Sequence, residues 1–181
     1  MRERIQRWTL DSIRSHDLSR WILLALSGLT CALFLGAPVL AARRHAASAG
    51  MIYVVFSTIC HQIRSRSFSL LGHPLAVCQR CSGIYFGILL SCLLYHALPV
   101  SLRGEEKRRH WILGATAPLM MDVALSYSGF WSGAILIRYS TGFLFGFMVA
   151  SVLVPAVSEF LLEIALSQVR RQSPGMEGGR L

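Results

Sequence analysis

The stretch from Trp21 to Ala42, WILLALSGLTCALFLGAPVLAA, carries no charge and decides the solvent in which this chain folds. About 20 apolar residues in a row are what a helix needs to cross roughly 30 Å of hydrocarbon. Each unpaired peptide group there costs several kcal/mol, so the backbone must be satisfied within the segment. The run is too long and too continuous for a barrel strand, which leaves a transmembrane helix. Gly28, Gly36 and Pro38 soften its outer part. Residues 1–20 before it are polar and include Glu3, Asp11 and Asp17, unlike the short basic start of a cleavable signal peptide, so the run is expected to remain as an anchor.

Three further runs follow, from about Ser82 to Val100, from Trp111 to about Tyr127, and from near Gly133 past Pro155, where Glu159 and Glu163 mark the exit into water. The mean hydropathy of +0.51 over 181 residues agrees with a chain solvated mostly by lipid. Ala46 to Ile63 is also apolar, bracketed by Arg43, Arg44, Arg64 and Arg66, and reads as a short interfacial helix or a fifth span. The excess of Lys and Arg on cytoplasmic loops separates the two. With four spans and the amino terminus inside, the cytoplasmic side carries Arg2, Arg4, Arg7, Arg14, Arg20, Arg103, Lys107, Arg108, Arg109, Arg170, Arg171 and Arg180. The other side carries Arg43, Arg44, Arg64, Arg66 and Arg80. Five spans nearly equalise the sides. The expected fold is therefore all-α: a bundle of about four transmembrane helices, five being the alternative, with a short interfacial helix and a Cys-containing hairpin. Residues 1–20 form a cytoplasmic segment, 21–166 one transmembrane domain with a Cys/His loop at 43–81, and 167–181 a polar, Gly-rich tail expected to be disordered. Both termini are expected to be cytoplasmic.

The net charge of +9 does not indicate nucleic acid, because the basic residues sit beside apolar runs and are not interleaved with aromatics on a polar surface. Membrane lipid with anionic headgroups is the expected partner, at about 1 kcal/mol per juxtamembrane Lys or Arg.

Chemistry concentrates in one loop: Cys60-His61-Gln62, Arg64 to Phe68, Gly72-His73-Pro74, then Cys78-Gln79-Arg80-Cys81. Cys78 and Cys81 have the spacing that lets two sulfurs converge on one ion or form a redox pair. Cys60 and His61, across an expected turn at Gly72-His73-Pro74, supply third and fourth ligands for a tetrahedral Zn²⁺ site, with 68–71 and 75–77 as the arms of a knuckle. His73 is an alternative ligand. Thiol redox chemistry and a plain disulfide compete with metal, and an extracytoplasmic loop would favour disulfides. Cys31 and Cys92 lie inside apolar runs as small hydrophobes, and His16, His45, His96 and His110 read as interfacial.

Two charges, Asp122 and Arg138, fall inside expected spans, where each costs at least about 2.5 kcal/mol unless paired or hydrated. They stand at similar distances from the short connection at 128–132, hence at similar depth on antiparallel neighbours, and an ion pair or a polar ligand or quinone pocket accounts for both. Gly83, Gly87 and Ser91 form one small-residue stripe, while Gly142, Gly146 and Ala150 continue the face of Arg138. Contact along these stripes would bring Cys60, Cys78, Cys81, Asp122 and Arg138 into one site.

The pattern Cys60-His61-Gln62, Arg66-Ser67-Phe68, Gly72, Cys78 to Tyr85 with Gly87, Pro118 with Asp122, and Arg138 with Thr141-Gly142 resembles a family of prokaryotic membrane proteins, the domain of unknown function numbered two thousand and eighty-five. The likeness covers about residues 52 to 146 and departs at Val123, where the family often has Gly. It implies a multi-pass protein of a prokaryotic inner membrane and brings no established activity. Three functions stay open: a zinc-binding membrane protein, a thiol-disulfide oxidoreductase coupled to a quinone by analogy with four-helix disulfide-generating proteins, and a transporter or channel subunit resting on Asp122 and Arg138 alone. Whether the protein is an enzyme is not decided by sequence.

Overall fold

The first apolar run lies in a helix far longer than itself. In the computed structural model, which describes residues 2–97, 105–129 and 134–172, helix α1 spans Arg2–Ala42 and passes through Pro38 without a break. Four more helices follow among the described residues: α2 (Ala46–Ser57), α3 (Gln79–Leu94), α4 (Glu105–Tyr127) and α5 (Ile135–Gln172). The expected ends at Pro99 and Val100, the connection at 130–132 and residues 173–181 lie outside the described residues, while 167–172, expected to be part of a disordered tail, continue helix α5.

Two helices, Asp17–Ala42 and Ile135–Ile164, are long and apolar enough to cross a membrane. The burial pattern agrees with lipid. Leu26, Leu29, Met51, Leu93, Met121 and Leu136 are exposed, while Ser27, Ser82, Ser91, Ser151 and Ser158 are buried. A water-soluble protein hides its large side chains. Here small hydroxyl residues occupy the helix contacts, and several bond the preceding turn, as Ser27 Oγ does to the Leu23 carbonyl at 2.7 Å.

Helix α2 is 12 residues long, about 18 Å, and so falls well short of the hydrocarbon thickness. Arg44, at φ +61°, reverses the chain after α1, and the His45 amide closes the turn on the Leu40 carbonyl at 2.9 Å. Phe34, fully buried, is where α1, α2 and α3 meet: its ring lies edge-on to Phe56 and Phe86 and tilted against Tyr85.

The all-α expectation needs one correction, a two-stranded antiparallel sheet of β1 (Ser67–Leu70) and β2 (His73–Cys78). Its turn is Leu71-Gly72 rather than Gly72-His73-Pro74. Leu70 pairs with His73, leaving a two-residue loop whose residues both have positive φ, +53° and +79°. That handedness matches the twist of the strands. Pro74 is accommodated because a two-stranded ribbon has free edges. Leucine in the left-handed region costs about 1 kcal/mol that asparagine largely avoids. Leu71 is exposed, so Leu71→Asn is expected to stabilise the purified protein by about 1 kcal/mol, seen as a raised thermal unfolding midpoint; a lowered midpoint would contradict it.

The helix directions set the site. Helix α3 runs antiparallel to α1, with Tyr85 and Phe86 against Phe34, Leu89 near Gly28, and His96 bonded to Asp17 at 2.8 Å. It runs parallel to α5: Gly83 and Gly87 lie on the α5 backbone between Tyr139 and Phe147, and Gly142 and Gly146 lie on the carbonyls of Arg80 and Ile84. The end of α1, the β-hairpin and the starts of α3 and α5 therefore gather at one face. Arg80 ties the end of α4 to the same place.

Candidate metal centre

Backbone bonds fix the first cysteine. The Cys60 amide bonds the Phe56 carbonyl at 2.9 Å, closing α2, and Gln62 then turns the chain at φ +48°. The Gln62 side-chain amide donates to the carbonyls of Tyr53 at 2.7 Å and Ala76 at 2.9 Å, bolting this turn to both α2 and β2. The Tyr53 hydroxyl adds a bond to the Pro74 carbonyl. Beneath the turn, Leu75, Ala76 and Val77 are buried with Cys31, Phe34 and Ala37 of α1 in one apolar cluster.

Cys78 ends β2 and stands as the N-cap of α3, and Cys81 lies in the first turn of that helix. The sulfur atoms of Cys60, Cys78 and Cys81 all lie within 4.8 Å of one another. The Cys78 amide donates to Cys60 Sγ at 3.2 Å. Hydrogen bonds from the Cys78 and Cys81 thiols, outweighing burial, hold the Cys60 thiol well below its ordinary pKa. The first amides of α3 lack helical partners, and that positive helix end favours thiolates at this position.

A tetrahedral zinc with Zn–S bonds of about 2.3 Å places its sulfurs about 3.8 Å apart. The three sulfurs match that spacing with little rearrangement, so the donor set fits a soft divalent ion. Of the four expected ligands, the structure brings three together. His61 is exposed and lines the same cavity, of about 160 Å³, but its ring nitrogens stand outside the sulfur group. His73 starts β2, five residues and roughly 17 Å of strand from Cys78, and faces a different cavity with Tyr53 and Arg64.

The buried charges are arranged differently from the expected ion pair. Asp122, 5% exposed, accepts from Arg80 Nε at 2.5 Å; Arg80 Nη2 reaches the Asp122 carbonyl at 3.1 Å and Ser126 Oγ at 2.8 Å. Arg138 is buried too, and lies within electrostatic reach of Arg66, Arg80, Asp122 and Cys78. Asp122, Arg138 and the three cysteines thus share one end of the bundle, with Arg80 between them. Arg80 and Gln62 stand in the Cys-rich segment quoted from sequence, but the bonds they make are not read there. Their signal was adjacency: one sits between the paired cysteines, the other directly after Cys60-His61.

Residues 60–152 match the family described as "Predicted membrane protein (DUF2085)". The matched region begins at Cys60 and contains all three cysteines, Arg80, Asp122, Arg138 and the four contact glycines. An uncharacterized protein of Methanocaldococcus jannaschii is 33% identical over 110 residues, covering 61% of this chain and 70% of the relative. Another, from Methanothermobacter thermautotrophicus, is 31% identical over 114 residues, covering 63% of this chain and the whole relative. No solved structure matches the chain.

Proposed function

The chain belongs to the DUF2085 family of predicted membrane proteins, and from that premise we propose a four-span protein of a prokaryotic cytoplasmic membrane that binds zinc through Cys60, Cys78 and Cys81. The convergence of three sulfurs within 4.8 Å carries this reading. A disulfide uses two thiols and leaves the third without a role, whereas structural and catalytic zinc sites use three or four ligands. His61, on the rim of the cavity, lies outside the sulfur set. In this reading helices α1, α3, α4 and α5 are the four spans, supported by the two long apolar helices α1 and α5 between which α3 packs, with α2 in the interface. The positive-inside count of the four-span reading supports a cytoplasmic amino terminus and an extracytoplasmic cluster.

The test is metal content by mass spectrometry of the full-length protein purified in native lipid. About one zinc per chain is expected in wild type, with loss of bound zinc in Cys60→Ser, Cys78→Ser and Cys81→Ser. A metal-free wild type sinks the reading.

One observation favours a second reading. Cys78 and Cys81 begin a helix, as reactive Cys-x-x-Cys pairs do, and the Cys60 thiol, its pKa lowered by hydrogen bonds from them, lies beside the pair. A thiol-disulfide oxidoreductase passing electrons to a quinone would then cycle this pair. Thiol trapping in cells separates the two: a mixture of reduced and oxidised Cys78–Cys81 supports redox cycling, and a single fixed state removes it.

A further inference from the structure

The cavity beside the sulfurs is lined by Cys60, Cys78 and Cys81 together with Arg66 and Arg80. Three thiolates leave one tetrahedral position on a zinc ion, which in three-ligand sites is taken by water or an exogenous ligand. What surrounds that position decides which ligand it takes.

The surroundings are rich in donors. Arg66 is half-buried, and its guanidinium has no carboxylate or hydroxyl partner among the described residues. Arg80 commits Nε and Nη2 to Asp122 and Ser126, leaving Nη1 without such a bond. Arg138 adds a third guanidinium within electrostatic reach of Arg66 and Arg80. Asp122 is the one carboxylate identified at this end of the bundle among the described residues. A divalent ion with three thiolates carries a single negative charge. Set against the two arginines that line the cavity and one aspartate, it leaves the site neutral before a fourth ligand is added. A neutral ligand at that position leaves the Arg66 guanidinium and Arg80 Nη1 without an acceptor. An oxyanion coordinates the metal through one oxygen and accepts from arginine through the others.

We propose that the open metal position and the Arg66 and Arg80 guanidiniums together form an oxyanion site of the phosphate class. This rests on the metal reading above. The phosphate has two possible sources, free phosphate and the headgroup of an anionic phospholipid. The exposed Ile59 and Ile63 on the cavity's rim bring it close to lipid.

Cobalt substitution separates these questions. The full-length protein in maltoside micelles is loaded with Co²⁺, whose thiolate charge-transfer bands report the cysteine site and whose d–d bands report the fourth ligand. Inorganic phosphate is expected to shift the d–d bands saturably. Arg66→Gln is expected to keep the charge-transfer bands and to need at least about tenfold more phosphate, the loss of one charge-assisted contact. If phosphatidylglycerol added to the micelles produces the shift and blocks the response to phosphate, the oxyanion is a lipid headgroup; if phosphatidylglycerol has no effect, it is free phosphate. Charge-transfer bands with d–d bands that neither probe moves would overturn the oxyanion site and leave the metal site standing. A phosphate shift that appears only in His61→Ala would overturn it as well, since the imidazole would then hold the fourth position. Absence of the charge-transfer bands would remove the metal reading and this inference with it.

Discussion

Gly142→Val is expected to leave little or no folded protein. A Cβ at Gly142 meets the Arg80 carbonyl, and one at Gly146 meets the Ile84 carbonyl. From the other helix, a Cβ at Gly83 would lie 2.9 Å from the Phe143 amide nitrogen, and one at Gly87 would lie 2.7 Å from that of Phe147. Even close Cα···O approaches keep about 3.3 Å. The groups in the way are helical backbone, which cannot rotate aside as a side chain can, so α3 and α5 must separate. Overpacking costs about 1–3 kcal/mol where side chains can give; backbone that cannot give puts this variant at or above the top of that range. Separation also carries Arg80 away from Asp122 and moves the helix that bears Cys81. Gly114 in α4 is the control, since a Cβ there meets nothing within 4 Å. Gly114→Ala is expected to hold or gain up to about 1 kcal/mol. Recovery as a monodisperse peak and the unfolding midpoint in detergent measure both variants. A wild-type midpoint for Gly142→Val would show that the helices do not pack as described.

These glycines were legible as period-four stripes, and so was the contact they serve. Their pattern says that two backbones approach, but carries no sign of whether the helices run parallel. The cysteines were legible for a different reason: Cys78 and Cys81 are one helical turn apart, and no other pair of soft ligands lies near enough in the chain to compete for Cys60. His61 was drawn in by adjacency, yet neighbouring residues in a turn point different ways, and the reversal at Gln62 leaves it on the rim. Pro74 signals a turn in the sequence, but an edge strand also tolerates it, and the chain reverses at Leu71-Gly72 instead. The equal spacing of Asp122 and Arg138 about the connection at 128–132 suggests a pair. Equal spacing gives equal depth and says nothing of azimuth. Arg80 sits at that depth on α3 and bonds the aspartate directly.

That bond supplies the second large effect. Asp122→Leu is expected to destabilise the protein by about 3 kcal/mol, the lower end for breaking a buried ion pair. The side chain of Asp122 is 4% exposed and that of Arg80 17%, so the abandoned guanidinium keeps a little access to the water of the cavity. It also keeps the Asp122 carbonyl and Ser126 Oγ, neither of which carries a full charge. Asp122→Asn is expected to cost less, because an amide oxygen still accepts from Nε. Removing both charges is the informative step. Arg80→Met with Asp122→Leu abolishes the desolvation penalty along with the attraction, and pairs replaced in this way are often neutral. The double variant is therefore expected to recover most of the loss, giving a coupling of about 2–3 kcal/mol in the four-way cycle of unfolding midpoints. Strictly additive losses would mean that the two side chains do not depend on each other, and the charged end of the bundle would need another account. The double variant should also retain zinc, since it keeps Cys60, Cys78 and Cys81. Its response to phosphate in the cobalt form should weaken, since one of the two arginines lining the cavity is gone. Fold, metal and oxyanion then depend on three separable sets of residues: the glycines where α3 meets α5, the three sulfurs, and the arginines beside them.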